Sequence, residues 1–468
     1  MIGRSGVAKV VPRLGQETLV QGFAKWFDPT SARVSRGGLM ARSERDELEE
    51  AALPAVLVRR NDLPVPLAHP ARSFFGGLPK LPPQFEWPVA EVTANETPET
   101  VALTFVAQID LAEVPGSGWS PLPKRGTLFF FCSSVFVGEG NPPCRVLYSP
   151  TGGGAYPGRS PPPNLMPLAG TDGDAQVRWL DPALDFHSKV EFKYPLSFLP
   201  FRDVYSDQDA AGGEFMIEEL CRVLGPGEPR APDLLQSRRA RDYEKDEDWP
   251  FNWLLINYVV RSILSRVQRD LTPGSYYKPI TDEVATELKR LRVGAIGWLE
   301  RCRALTPMDE VDADTKTAFR SWWLDVVQAY ERIDRQVRTY AGQIAEDLGY
   351  AINHTIRCMA TQGDDACDDA PFEYVANLER QNHWKAPTVE EGQRRHFGTA
   401  LHQMLGYGSG PQDATEVHLE DMLLLQVQGD AAFFDWHSNI GCVLHFWIDR
   451  DALTQLDFSG VAATYECD

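Results

Sequence analysis

The sequence predicts an α+β fold in which two β-rich segments flank a helical one. In the β-rich segments, apolar and polar residues alternate with a period of two, most clearly across 103–111. Between about 250 and 360 the period changes to that of amphipathic helices. The two β-rich segments also share one order of features: a glycine turn, an apolar strand with one central glutamine, and an aromatic strand introduced by glycine.

Composition limits the class of protein. Apolar residues make up 43% of the 468 residues, which is enough for a sizeable core and argues against disorder. No apolar run approaches the roughly 18 residues of a membrane helix, and residues 1–15 lack the apolar block of a secretory signal, so we expect a cytoplasmic protein without membrane contact. The net charge of −20 disfavours nucleic-acid binding and favours a basic protein partner.

The first segment, 1–54, is predicted to be helical. Leu19, Phe23, Trp26 and Phe27 follow the i, i+4, i+7, i+8 spacing of an amphipathic helix. A second helix is predicted over 43–52, with Ser43 as its N-cap.

The second segment, 55–235, is predicted to be the first β-rich half. Its strands cover 55–59, 103–111 and 127–131, and another is expected at 190–192. The glycine run within 151–154 is not followed by the Lys-Ser or Lys-Thr pair of a phosphate-binding loop, so we interpret it as an ordinary loop.

The remaining chain divides into three segments. Four sets of helically spaced apolar residues predict a helical insertion over 236–360, whose aromatic stripe is typical of a core. Residues 361–395 are acidic; their aspartates could ligate a hard cation but lack the spacing of an EF-hand, which favours a solvated linker. Residues 396–468 are the second β-rich half, with strands at 422–428, 443–448 and 462–467.

Each β-rich half has one glutamine in its apolar strand, Gln108 in the first and Gln426 in the second. A buried amide requires hydrogen-bond partners. We therefore expect both side chains to bond to backbone edges at equivalent places, the alternative being that they face water. The two halves are expected to pack in one core.

The same segments carry a family resemblance. The relevant stretches are 73–79, 87–88, 107–111 and 122–126 in the first half, and 402–407, 424–426, 446–448 and 456–459 in the second. In this order they resemble the YwqG-like family of uncharacterised bacterial proteins. The resemblance implies a large, curved antiparallel sheet and no known activity. Genes of some members of this family lie loosely associated with toxin–immunity gene neighbourhoods. Because members of the family are usually shorter, the resemblance also implies that the helical segment is an insertion.

The cysteines give no catalytic signature. The eight are scattered, and no CxxC pair occurs, which predicts ordinary buried thiols in a reduced compartment. The chain has no nucleophile elbow, zincin helix or Walker loop. We therefore expect no catalytic residue, cofactor or metal.

One candidate pocket is predicted between the two halves, from Gln108, Gln426, Asp435, Trp436 and His437. Asp435 and His437 alternate in sequence, so they could share one face, and a histidine beside a carboxylate can perform acid–base chemistry. An ordinary polar surface loop is the alternative.

These observations predict a non-enzymatic protein-binding or regulatory protein, of which a toxin-immunity protein is the most concrete version. The sheet would be the scaffold, and the loops and helical insertion would be the recognition surface. The alternative is a small-molecule-binding or hydrolase-like enzyme that uses the candidate pocket between the halves.

Overall fold

The structure is a computed structural model. It describes residues 42–61, 64–94, 97–115, 121–133, 141–166, 190–205, parts of 212–223, 249–272, 279–333, 336–361, 402–410, 412–429 and 442–466. The chain divides into two compact units, Met1–Glu47 and Leu48–Asp468. The second contains every strand named below and the helical bundle.

The described strands are β1 (Leu53–Arg60), β2 (Phe74–Phe75), β3 (Val89–Ala94), β4 (Thr97–Ala102), β5 (Thr104–Asp110), β6 (Thr127–Cys132), β7 (Cys144–Ser149), β8 (Tyr194–Asp203), β9 (Gln403–Leu405), β10 (Met422–Gln428), β11 (Val443–Ile448) and β12 (Ala462–Glu466). The main helices are α1 (Arg42–Ala51), α2 (Trp253–Leu271), α3 (Asp282–Cys302), α4 (Ala313–Arg332), α5 (Ala341–Thr361), α6 (Ala414–Val417) and α7 (Arg450–Thr454). None of the helices in the described ranges is long and apolar enough to cross a membrane.

Ten strands form one antiparallel sheet in the order β12-β11-β10-β9-β1-β8-β2-β5-β6-β7, and β3 and β4 pair separately. The β1–β8 pair lies at its centre. On each side follow a short strand, a strand with a central glutamine, a third strand and an edge strand. The register shifts between Phe105 and Ala107 on one side, and between Leu423 and Leu425 on the other. The expected α+β fold with a large antiparallel sheet is confirmed.

The sheet curls so that strands from its two sides share one core. The rings of Phe130 on β6 and Phe446 on β11 pack edge to face with centroids 5.1 Å apart. The thiol of Cys144 on the edge strand β7 donates a hydrogen bond to the carbonyl of Val461, immediately before the opposite edge strand, at 3.3 Å. Strands from both halves therefore remove their apolar side chains from water together.

Helices α2 to α5 form a bundle with a separate core, which confirms the four predicted helices. Asn252, Thr281 and Asp312 cap α2, α3 and α4 by accepting a hydrogen bond from the backbone N–H three residues on. Glycine at position 294 allows α3 and α4 to approach, because a Cβ there would lie 2.6 Å from the indole nitrogen of Trp322. Phe192, just before β8, packs against both the bundle core and the sheet core.

Several local predictions are wrong. The strand expected at 190–192 begins later, as β8 at Tyr194, and Ser43 lies inside α1 rather than capping it. The two- and three-residue strands β2 and β9 are too short for a period-two pattern to be visible. The helix predicted around Leu19 to Phe27 lies outside the described residues.

The cysteines only partly follow the prediction of ordinary thiols. Cys132, Cys144, Cys302 and Cys358 are free and buried. Burial raises the pKa of Cys302 and of Cys358 to about 12, so these thiols are protonated at neutral pH. Cys442, in contrast, is disulfide-bonded.

Candidate functional site

Gln108 on β5 is fully buried and uses its whole amide group to hold loops. Its Oε1 accepts a hydrogen bond from the backbone N–H of Lys80 at 2.8 Å. Its Nε2 donates to the carbonyls of Arg72 at 2.7 Å and Gly153 at 2.8 Å. The predicted bonding of this glutamine to backbone is confirmed.

Asp110, two residues further along β5, also holds the loop that contains Gly153. Its Oδ2 accepts a hydrogen bond from the N–H of Gly153 at 3.1 Å and lies 3.4 Å from Nη1 of Arg72. Its Oδ1 accepts from the N–H of Ala112 at 3.0 Å. Since both the N–H and the carbonyl of Gly153 are engaged by the sheet, this glycine is a structural contact.

Gln426 on β10 has the equivalent role in the second half. It is fully buried, and its Oε1 accepts a hydrogen bond from the N–H of Ser409 at 2.8 Å. Its Nε2 donates to the Ser409 hydroxyl at 3.1 Å. Both glutamines therefore accept from the backbone just after a glycine-containing turn, at equivalent places as predicted.

His445 lies opposite Gln426 on β11 and bonds to the same serine. Its Nε2 donates to the Ser409 carbonyl at 2.9 Å. The Thr464 hydroxyl accepts from Nε1 of Trp447 at 3.0 Å, so its own proton is directed to Nδ1 of His445 at 3.1 Å. With both ring nitrogens engaged, His445 is a structural group and not a base.

Two buried carboxylates also fix loops. Asp203 accepts hydrogen bonds from Nε2 of Gln403 at 2.6 Å and from the N–H groups of Tyr407 at 2.7 Å and Gly408 at 3.1 Å. Burial raises the pKa of Asp203 to about 6, although these donors oppose the shift. At the other carboxylate, Glu466, burial raises the pKa, and its Oε1 accepts from the N–H of Ala414 at 2.6 Å.

The structure does not bring Gln108 and Gln426 together. Four strands separate β5 from β10 in the sheet order, and each glutamine bonds to a different loop. Asp435, Trp436 and His437 lie outside the described residues. The five-residue pocket therefore stays a prediction, and its two described members hold loops in place.

A histidine–carboxylate pair that the sequence analysis missed lies at His418. Its Nδ1 is 2.7 Å from Oδ2 of Asp421, and its ring stacks on Trp447 with centroids 5.0 Å apart and 6° between planes. Within the described part of the chain no hydrogen-bond partner reaches its Nε2. The His-x-x-Asp spacing is common in sequences, so only the stacking on Trp447, 29 residues further along the chain, distinguishes this pair.

The exposed face of α3 carries two large apolar side chains. Val293 is 70% exposed and Ile296, one turn later, is 39% exposed. Lys289 and Arg292 lie beside them, exposed and without an ion pair to any described residue. A Cβ at Gly297 would have no neighbour within 4 Å, so open space adjoins the pair. We call Lys289, Arg292, Val293 and Ile296 the α3 stripe.

Comparison with known families defines the class of this protein. A family model described as a domain of unknown function, DUF1963, matches residues 73–203 and 307–467, more than half of the chain. The chain therefore belongs to this family. No curated protein matches it.

The family model covers only two of the four helices of the bundle. Helices α4 and α5 fall within the second matched region, whereas α2 and α3 lie in the unmatched stretch 204–306. The α3 stripe is thus carried by a part of the chain that the family model does not cover.

Replacing Gln108 by leucine should destabilise the protein. The change leaves the Lys80 N–H and the Arg72 and Gly153 carbonyls without their partner, and we expect a loss of about 3 kcal/mol in the free energy of unfolding, measured by urea titration. The exposed Gln268 on α2 gives a matched control, since Gln268→Leu should change stability by less than about 0.5 kcal/mol. Equal effects of the two substitutions would contradict the structural role of Gln108.

His445 should make stability depend on pH. Burial lowers its pKa from 6.5 to about 4, so its stabilising contribution is complete above pH 6.5 and is lost as pH falls toward 4. Between pH 7 and pH 5, the free energy of unfolding should fall by about 2 kcal/mol more in the wild type than in His445→Gln. Parallel pH profiles of the two proteins, from urea titrations at each pH, would show that this histidine does not titrate as described.

Proposed function

We propose that this chain is a YwqG-like, non-enzymatic protein-binding or regulatory protein in which the α3 stripe contacts the partner. The observation that carries the proposal is the pair of exposed apolar side chains, Val293 and Ile296, on a firmly held helix. Large apolar side chains that stay exposed together on a helix are typical of interaction sites.

The sheet supports this proposal as a scaffold. The buried polar side chains Gln108, Gln426, His445 and Asp203 are all engaged by loop backbone or by neighbouring side chains. Groups so engaged are not available to bind or transform a substrate. Recognition is therefore assigned to a surface that the sheet and bundle hold in place.

The α3 stripe is preorganised for binding. The opposite face of α3 buries Val284, Leu288, Leu291, Ala295 and Trp298 in the bundle core, and Thr281 caps its start. A partner therefore does not need to order this helix, which reduces the entropic cost of association.

The charge of the α3 stripe indicates which charge the contacting segment of the partner should have. The net charge of −20 favours a basic partner at long range, but Lys289 and Arg292 make the stripe locally basic. We propose that the contacting segment has apolar residues flanked by Asp or Glu. A toxin-immunity role is the most concrete version of this function, and it is supported only by the resemblance to YwqG-like proteins.

The test is a quantitative pull-down from a lysate that includes the products of neighbouring genes. A partner should be captured by the wild type and at least tenfold less by Val293→Ser/Ile296→Ser, because the apolar centre of the contact is removed. Reversal of charge in Lys289→Glu/Arg292→Glu should give the same loss.

The matched control is Val89→Ser, which removes an apolar residue that is 48% exposed outside the bundle. This variant should capture the partner as the wild type does. If no protein depends on the α3 stripe, or if the control loses the same partner, the proposal is wrong.

A second candidate function is the small-molecule-binding or hydrolase-like enzyme, and His418 favours it. A histidine oriented by a carboxylate, as His418 is by Asp421, can act as a general base toward water. The stack on Trp447 and the exposed Val417, at 71%, and Leu419, at 42%, offer an apolar surface beside it.

This second function predicts hydrolysis of activated esters or phosphate esters that depends on His418. His418→Gln should lower the rate at least about 100-fold, because general base catalysis is lost. Hydrolysis that is equally fast in His418→Gln would exclude this residue as the base.

A further inference from the structure

Arg357, near the end of α5, is a buried charge that forms no ion pair with any residue in the described ranges. The residue is 6% exposed, and its Nε and Nη2 are buried and receive no hydrogen-bond partner from the part of the chain that the structure describes. A guanidinium does not lose its proton in proteins, so burial cannot neutralise it. The folded chain therefore has a desolvated cation whose two adjacent donors are unused, an arrangement that is costly unless a partner is supplied.

His354 lies one turn earlier on the same face of α5. Its Nε2 is also buried and has no hydrogen-bond partner among the described residues. Burial, reinforced by the charge of Arg357, lowers the pKa of His354 to about 3. The imidazole is thus neutral at physiological pH, and one of its nitrogens carries a proton that can be donated.

Aromatic rings pack around His354. The ring centroid of His354 lies 4.6 Å from that of Tyr258 and 5.4 Å from that of Phe192. The Tyr258 hydroxyl and Cys358 Sγ are 4.0 Å apart. Burial raises the pKa of both, so neither supplies a negative charge at neutral pH.

We propose that Arg357 and His354 bind the oxyanion group, carboxylate or phosphate, of a small anionic molecule. Nε and Nη2 form one edge of the guanidinium, and this edge donates two parallel hydrogen bonds to two oxygens of such a group. The His354 Nε2–H supplies a third donor, and Tyr258 and Phe192 contact an apolar body. Because both arginine nitrogens are sealed from water, the ligand enters when neighbouring side chains move aside.

This site is separate from the α3 stripe, and neither proposal depends on the other. Arg357 and His354 lie on α5, inside the region that the family model matches, whereas the stripe lies outside it. A loss of partner binding in α3 variants would therefore leave the oxyanion site untouched.

The experiment is a thermal-shift titration of the full chain with sodium phosphate and, separately, sodium benzoate, each against sodium chloride at matched ionic strength. The wild type should show a Tm rise that saturates with one of the two anions, because a ligand that binds only the folded state stabilises it. The anion that acts identifies the group as phosphate or carboxylate. In Arg357→Met the saturating rise should disappear, and the Tm without ligand should equal or exceed that of the wild type.

Two further variants keep the proposal falsifiable if Arg357→Met does not fold. Arg357→Lys retains the charge but lacks the two-donor edge, so the affinity from calorimetric titration should fall at least tenfold. Arg290→Met removes an arginine that is paired with Glu287 and Asp325, and it should keep the full shift. The proposal is overturned if neither anion gives a saturating rise, or if the rise persists in Arg357→Met.

Discussion

The structure depends on one constraint, that amide and carboxylate groups buried on a sheet must have hydrogen-bond partners. Gln108 and Gln426 satisfy it by bonding to loop backbone, and in doing so they fix where the chain goes after each glycine-containing turn. Asp203 imposes the same requirement on the turn at Gly408. The strand pairing generates the sheet, but these polar contacts decide which loops lie on it.

The sequence predicted the long elements well, because β5 alternates with a period of two, β10 and β11 are mostly apolar, and α2 to α5 have clear helical periodicity. It also predicted that the two buried glutamines bond to backbone. It could not predict β2 or β9, since two or three residues carry no period. The pairing of His418 with Trp447 and the isolation of Arg357 depend on tertiary packing, which local patterns do not encode.

The buried polar side chains of the described residues differ in how fully they are hydrogen-bonded. On the sheet, His445 uses both of its ring nitrogens in hydrogen bonds and rigidifies the scaffold. Arg357 and His354 instead have unused donors within the bundle. The contrast separates groups that stabilise the fold from a buried charge whose unused donors can take a ligand.

Phe192 connects the bundle and the sheet by packing against both. Its ring packs into both cores and faces His354 at 5.4 Å. A displacement of α5 that moves His354 would also shift Phe192. Phe192 directly precedes β8, so the shift would change the position of the start of this central strand. An anion bound in the helical bundle would then also move the strands of the sheet, so anion binding would change both the bundle and the sheet.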